Sequence, residues 1–269
     1  MATRSSNRIA LGLEYDGSRF LGWQTQPGGG TAQDALESAL TGIAGEAVGV
    51  TCAGRTDRGV HARAQVVHFD TRAQRPDAAW VRGVNALLPE AMAVLWARPV
   101  PADFHARYAA RSRTYRYVLL NRPVRPALAA HYAGWHHAPL ELGPMREAAA
   151  HLVGEHDFSA FRAAECQAKS PVRTLHELHI ERGADRIDFV LRANAWLQHM
   201  VRNIVGLLVY VGNGRQRPQW AKTVLESRDR KLGAPTFAAE GLYLDAVEYE
   251  SRWDLPAGRD SALALPLDS

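Results

Sequence analysis

The hydrophobic pattern of this 269-residue chain runs twice through one order of periods, and that order limits the folds open to it. Arg8 to Tyr15 alternates with the period of a half-buried strand. The glycine-rich stretch Pro27 to Gly30 leads to Thr31, a good N-cap residue, after which Leu36, Leu40 and Ile43 recur at helical spacing. Strands are expected over Ala47 to Ala53 and Ala64 to Thr71, a helix over Asp77 to Leu88 stopped by Pro89, and a strand over Ala91 to Val100. The second half predicts a strand over Arg113 to Leu120 and a helix over Pro144 to Val153. A strand pair follows, Arg173 to Glu181 and Arg186 to Ala193, joined at Gly183; then a helix over Ala195 to Val211 and a strand over Gly241 to Glu250. An extra helix, Trp220 to Arg228, is inserted before that last strand.

Each half therefore reads β-α-β-β-α-β, the split unit of ferredoxin-like folds. The expectation is an α+β protein of two ferredoxin-like (βαββαβ) halves with antiparallel sheets and the active-site cleft between them. The N-terminal domain is expected over residues 1–110 and the C-terminal domain over 111–269. The repeat is one of element order only, for the halves share no visible sequence identity.

An apolar fraction of 46% can fill real cores, which argues against a disordered chain. The two cysteines, Cys52 and Cys166, cannot make a disulfide framework, and with no CxxC pair or HExxH run a metal site has little to stand on. His136 and His137 lack a third ligand, and PGGGTAQ lacks the pattern of a phosphate-binding loop. The opening MATRSSNRIALGLEYDG reaches Glu14 and Asp16 too soon for a secretory segment. The longest apolar run, Ile204 to Val211, falls well short of the roughly 20 residues that cross a bilayer. A cytoplasmic protein with no membrane partner is expected.

Net charge is only +4, but its distribution is uneven. Arg98 to Arg125 holds seven arginines (98, 107, 111, 113, 116, 122, 125) against one acid, Asp103. Phe104, Tyr108, Tyr115 and Tyr117 are interleaved with them, and on a strand Arg113, Tyr115 and Tyr117 share a face. A solvated strand would suit such a run. Planar arginine donors alternating with rings also suit a surface that holds phosphates and stacks bases, which points to nucleic acid.

Within AGRTDRGVHARAQVVHF, residues 53–69, one carboxylate stands alone: Asp57, between Arg55 and Arg58. Two readings fit. Asp57 could hold the bend as an Asx-turn, with the arginines exposed. Alternatively, the flanking cations keep it ionised, so that it serves as a nucleophile or stabilises a developing cation. HMVRNIVG, residues 199–206, sets Met200, Ile204 and Leu207 or Leu208 on one helix face and Arg202 at an angle to it. Arg202 then either snorkels to solvent or meets a buried anion.

These motifs together resemble the TruA family of tRNA pseudouridine synthases. The GRTDxGVHA core is Gly54 to Ala62, and FHARY (Phe104 to Tyr108), RTYRY (Arg113 to Tyr117), GEHDFSAFR (Gly154 to Arg162), HMVRNIVG and AEGLYL (Ala239 to Leu244) keep the family's order. The resemblance implies an isomerase that converts uridines 38, 39 and 40 of the tRNA anticodon stem-loop to pseudouridine. It also implies a single catalytic aspartate, no cofactor, no metal and a homodimer. Matched motif to motif, Asp57 is that aspartate, Arg202 its ion-pair partner, and Tyr115 the ring that packs on the target base. Arg55, Arg75, the block Phe104, His105, Ala106, Arg107 and Tyr108, and the segment Glu165, Cys166, Gln167, Ala168 and Lys169 fall where the family touches tRNA. Arg58 occupies the variable position of its motif and carries no assigned role. Pro123 stands where related sequences can carry a basic residue.

The chemistry agrees with the residues. The N1–C1′ bond breaks, the base turns, and C5 joins C1′, so every heavy atom stays in the product. A base inside a stem must first leave its stack, at a cost of a few kcal/mol. A non-catalytic RNA binder and a base-releasing hydrolase are the rivals to this reading.

Overall fold

The computed structural model describes residues 7–256. Within them the chain forms two compact units, one of residues 7–111 with 244–256 and one of residues 112–243. Both are mixed α/β, with mostly antiparallel strands and few helices.

The first unit runs β1 (Asn7–Tyr15), α1 (Ala32–Ala44), β2 (Thr51–Cys52), β3 (His61–Thr71), α2 (Asp77–Asn85) and β4 (Met92–Val100). β1 pairs antiparallel with β3 on one side and β4 on the other. Its central position explains why Ala10, Leu11 and Leu13 have no exposure at all. β2 adds to β3 by Thr51↔His68 and Cys52↔Val67. Thr31 caps α1 in a capping box with Asp34, and Gly45 at φ +72° ends the helix.

The strand expected over Ala47 to Ala53 contracts to two residues. The N–H groups of Val48 and Val50 donate to side chains of α1, Thr41 Oγ1 at 3.3 Å and Glu37 Oε1 at 2.9 Å. Donors occupied that way are not extending the ladder. α2 likewise stops at Asn85 rather than Leu88. The Asn85 side chain exchanges a donor and an acceptor with the backbone of Val94, at 2.9 and 2.7 Å, tying the helix end to β4.

The chain leaves this unit within β5 (Ala110–Asn121) and returns within β10 (Leu242–Tyr249). The second unit contains β6 (Gly134–His136), α3 (Leu142–Ala150), β7 (Gly154–Asp157), β8 (Val172–Arg182), β9 (Arg186–Ala193), α4 (Met200–Gly212) and α5 (Trp220–Ser227). β5, β9, β8 and β7 lie side by side and antiparallel, while β6 runs parallel to the end of β5. β6 and β7, of three and four residues, are too short to leave a readable period in the sequence.

α4 begins at Met200, five residues later than expected. His199 holds φ at +63°, a left-handed conformation that an α-helix cannot contain, so Ala195 to Gln198 stay outside it. The helix that follows is buried almost all round, which makes it a core element. Among the described residues, no helix is long and apolar enough to cross a membrane.

Candidate active site

Asp57 stands on the loop between β2 and β3, and main-chain hydrogen bonds fix that loop on both sides of it. The Thr56 carbonyl accepts from the N–H of Trp23 at 2.9 Å, and the Asp57 carbonyl accepts from the N–H of Val60 at 3.1 Å. The second bond closes a turn over Arg58 and Gly59. Gly59 takes φ +82°, a region that costs a residue with a side chain about 1–2 kcal/mol. Its N–H donates to Gly17 at 3.2 Å. A Cβ on Gly17 would lie 1.9 Å from the Val60 carbonyl oxygen, so only glycine lets the β1–α1 connection press on this loop.

Side chains behind the loop hold it as well. Gln65 on β3 is wholly buried. Its carboxamide spans the backbone of Gly54, with Nε2 donating to the carbonyl at 2.6 Å and Oε1 accepting from the N–H at 3.3 Å. The Tyr15 hydroxyl lies 2.8 Å from Thr56 Oγ1 and accepts from Gln65 Nε2 at 3.4 Å. Arg55 and Arg58 are exposed, Thr56 is buried, and Asp57 is half-buried. Nearby, burial pushes the Cys52 thiol up to about 12, so it is neutral and unsuited to nucleophilic work.

The FHARY block, in the same unit, divides by exposure. Phe104 and Ala106 are fully buried, Phe104 packing on Tyr249 and Trp253 at ring-centroid distances of 5.4 and 5.2 Å. Tyr108 is 77% exposed, and the Arg107 guanidinium carbon lies 5.8 Å from the centre of its ring. His105 sits between rings, 4.2 Å from Tyr108 and 4.8 Å from His68. His68 anchors the block, its Nδ1 accepting from the Ala106 N–H at 3.2 Å. Burial first, then the charge of Arg8 and His105, brings its pKa down to about 4, which keeps that nitrogen an acceptor. Arg75 is exposed ahead of α2, where it lines a cavity of about 600 Å³ with Arg8, Trp80, Pro99 and Val100.

In the second unit, Tyr115 lies on β5 and is 7% exposed, its ring meeting that of Trp196 edge-on at 5.6 Å. Trp196 is held by donating Nε1–H to the Arg113 carbonyl at 3.1 Å. Arg202 is half-buried on α4. The neighbouring Asn203 is buried, donating to the Phe161 carbonyl at 2.7 Å and accepting from Arg230 and Thr236 at 2.9 and 2.7 Å. Glu165 to Lys169 form an irregular segment ahead of β8, with Glu165, Gln167 and Lys169 exposed and Cys166 and Ala168 half-buried.

The arginine-rich run is not one continuous basic face. Arg98 pairs with Asp77, Arg111 with Glu250, Arg116 with Asp188 and Arg122 with Asp185. Arg113 is buried and donates to the Asn194 carbonyl at 3.0 Å. The sequence counted these charges correctly but could not show the acids brought to them by α2 and β9 (Asp77 and Asp188), by the turn before β9 (Asp185) and by the residue after β10 (Glu250).

Sequence reasoning missed Tyr15, Gly17, Thr56, Gln65 and Asn203. Gln65 carried a readable signal, a polar residue among the apolar positions of a strand. Among the described residues, no group of three or more His, Cys, Asp or Glu side chains is placed to hold a metal ion.

Comparison with known proteins agrees with the motifs. A family model described as tRNA pseudouridine synthase matches residues 13–109 and 148–250. Over 256 residues the chain is 57% identical to a tRNA pseudouridine synthase A of Dechloromonas aromatica, covering 95% of this chain and 98% of that one. It is 56% identical to the enzyme of that name from Herminiimonas arsenicoxydans, covering 94% and 93%. It is 58% identical over 249 residues to the one from Thiobacillus denitrificans, covering 93% and 96%. Among solved structures, an archaeal box H/ACA sRNP Nop10–Cbf5 complex matches at 13% identity and a TM-score of 0.34, over 86% of this chain and 61% of that one. That likeness is too slight to bear on fold or function. The sequence relatives and the family model suffice: the chain belongs to the TruA family of tRNA pseudouridine synthases, isomerases of tRNA uridines.

Proposed function

We propose that the isomerisation takes place at uridines 38, 39 and 40 of the tRNA anticodon stem-loop, with Asp57 as the single catalytic aspartate. The observation that carries this reading is the setting of Asp57. It is half-buried, next in sequence to the buried Thr56, on a loop fixed by the Trp23 and Val60 hydrogen bonds. That loop lies inside the segment matched by the family model.

One carboxylate suffices for the reaction. The N1–C1′ bond breaks, the uracil stays in the site and turns, and a C5–C1′ bond forms; C5 gives up its proton and N1 gains one. No leaving group departs, so no second carboxylate is needed to protonate one. In this reading Asp57 supplies the anion and Arg202 pairs with it. Tyr115 gives the extruded base a ring to pack on, offsetting about 1–3 kcal/mol of the unstacking cost. Arg55, Arg75, His105, Arg107, Tyr108 and Glu165 to Lys169 serve the RNA, while Phe104 and Ala106 support that surface from the core. The protein works in the cytoplasm as a homodimer.

We also read both units as ferredoxin-like. Support comes from the order β1-α1-β2-β3-α2-β4 in the first unit, where β1 lies between β4 and β3, and β2 pairs with β3, as does β10.

The test is incubation with an unmodified anticodon stem-loop, followed by positional mapping. Pseudouridine at 38, 39 and 40 with no change in RNA mass is expected, and none from Asp57→Asn, which should still bind RNA. Released uracil would make the protein a hydrolase. Binding without either product would make it a binder.

A further inference from the structure

The loop that carries Asp57 is held from behind by three buried polar side chains, none of which the chemistry itself requires. Tyr15, Thr56 and Gln65 are 5%, 7% and 0% exposed. They form one chain of contacts: Gln65 Nε2 to Tyr15 hydroxyl at 3.4 Å, and Tyr15 hydroxyl to Thr56 Oγ1 at 2.8 Å. Gln65 also grips Gly54 at both its carbonyl and its N–H. A carboxamide presents a donor and an acceptor side by side, as the backbone of one residue does. Gln65 thus acts as a short piece of strand laid beside the loop.

The consequence for Asp57 follows from its place next to Thr56. With the Thr56 side chain held inward and its carbonyl accepting from the Trp23 N–H at 2.9 Å, the planar peptide that leads into Asp57 is fixed. Arg55 is exposed, Thr56 buried and Asp57 half-buried, so both neighbours of Thr56 lie nearer solvent than it does. We propose that Tyr15 and Gln65 are positioning residues for the reaction: by holding Thr56 inward and Gly54 in place, they fix where the Asp57 carboxylate is presented. The proposal rests on the reading of Asp57 as the catalytic aspartate. A loop free to rotate by even a small angle would keep its charge and its RNA contacts and lose its aim.

Hydroxyl deletions test this with little change of shape. Tyr15→Phe keeps the ring that packs on Phe20 and Trp23 at 6.1 and 5.9 Å. Thr56→Val removes the partner hydroxyl, and Thr56→Ser keeps it. Single-turnover rate, affinity for an anticodon stem-loop and thermal midpoint are measured for each variant beside Asp57→Asn. Tyr15→Phe and Thr56→Val are expected to slow turnover about tenfold with affinity within twofold of wild type, and Thr56→Ser to recover most of the loss. The double variant Tyr15→Phe/Thr56→Val should be no slower than either single one, because both break the same contact. Wild-type turnover in Tyr15→Phe and Thr56→Val, with Asp57→Asn inactive, overturns the positioning role alone. So does a parallel fall of rate, affinity and thermal midpoint that Thr56→Ser fails to reverse. Turnover by Asp57→Asn overturns the catalytic reading and this proposal with it.

Discussion

Arg202 and Phe237 bind each other in both directions. The Arg202 Nε–H donates to the Phe237 carbonyl at 2.8 Å, and the Phe237 N–H donates to the Arg202 carbonyl at 3.2 Å. The guanidinium plane is therefore set by backbone and not left to a flexible side chain.

Lysine cannot reproduce that arrangement, since its single ammonium cannot both occupy the Nε position and extend past it. If Arg202 pairs with Asp57, Arg202→Lys should lose about a hundredfold in kcat, an effect of the size seen when one preorganised hydrogen-bond donor is removed from a catalytic site. Charge alone would not rescue it, so Lys and Ala variants should be similarly slow. Steady-state kinetics on an anticodon stem-loop measure this, and a lysine variant at near wild-type kcat would release Arg202 from the site.

The second prediction concerns acid. His68 must stay neutral to accept the Ala106 N–H, and its pKa is held near 4, below the usual histidine value of 6.5. The unfolded chain therefore takes up a proton on this residue at a pH where the folded chain does not. His68 contributes full stability above pH 6.5, and that contribution is lost as pH falls from 6.5 toward 4. One proton corresponds to a slope of at most about 1.4 kcal/mol per pH unit. Urea unfolding at intervals across that window should show a shallower slope for His68→Leu than for wild type. Equal slopes would mean that other groups carry the acid sensitivity.

The third prediction separates two kinds of arginine in the basic run. Arg107 is exposed beside the exposed ring of Tyr108, whereas Arg113 is buried on the Asn194 carbonyl. Arg107→Glu should weaken binding of every tRNA alike and reduce the slope of log K against log[salt] by about one. Arg113→Ala should instead lower the thermal midpoint and leave the salt slope unchanged. Salt-dependent binding curves for both variants decide it, and reversed behaviour would exchange their roles.

These residues also mark what the sequence could reveal. Leu36, Leu40 and the Thr31 cap announced α1 because period and cap chemistry are local. The strand over Ala47 to Ala53 failed because Glu37 and Thr41 took its N–H groups, a competition between elements that no periodicity records. α4 was found, but its start was misplaced because nothing in the pattern discloses the positive φ of His199. For the candidate site, GRTDRG and HMVRNIVG drew the eye to Asp57 and Arg202. Gln65, which binds Gly54 of the Asp57 loop, and Phe237, which binds Arg202, lie 11 and 35 positions from those partners, and only folding brings them close.

The last prediction tests the ring of Tyr115. Phe and Leu differ from tyrosine in separable ways: Phe loses only the hydroxyl, while Leu loses the aromatic face too. Base stacking on an aromatic ring is worth about 1–3 kcal/mol, so a ring that receives the flipped uracil should matter by roughly five- to 150-fold. Tyr115→Leu should therefore turn over more slowly than Tyr115→Phe by a factor in that range, at saturating RNA. The edge-on contact with Trp196 offers the competing explanation, in which Tyr115 merely fills space on β5. A space-filling role predicts that the Leu variant loses thermal stability, and that its rate per folded molecule matches that of Phe. Measuring single-turnover rates well below each variant's thermal midpoint removes the stability effect. A Leu variant as fast as Phe under those conditions would place Tyr115 in the core and leave the flipped base to pack elsewhere.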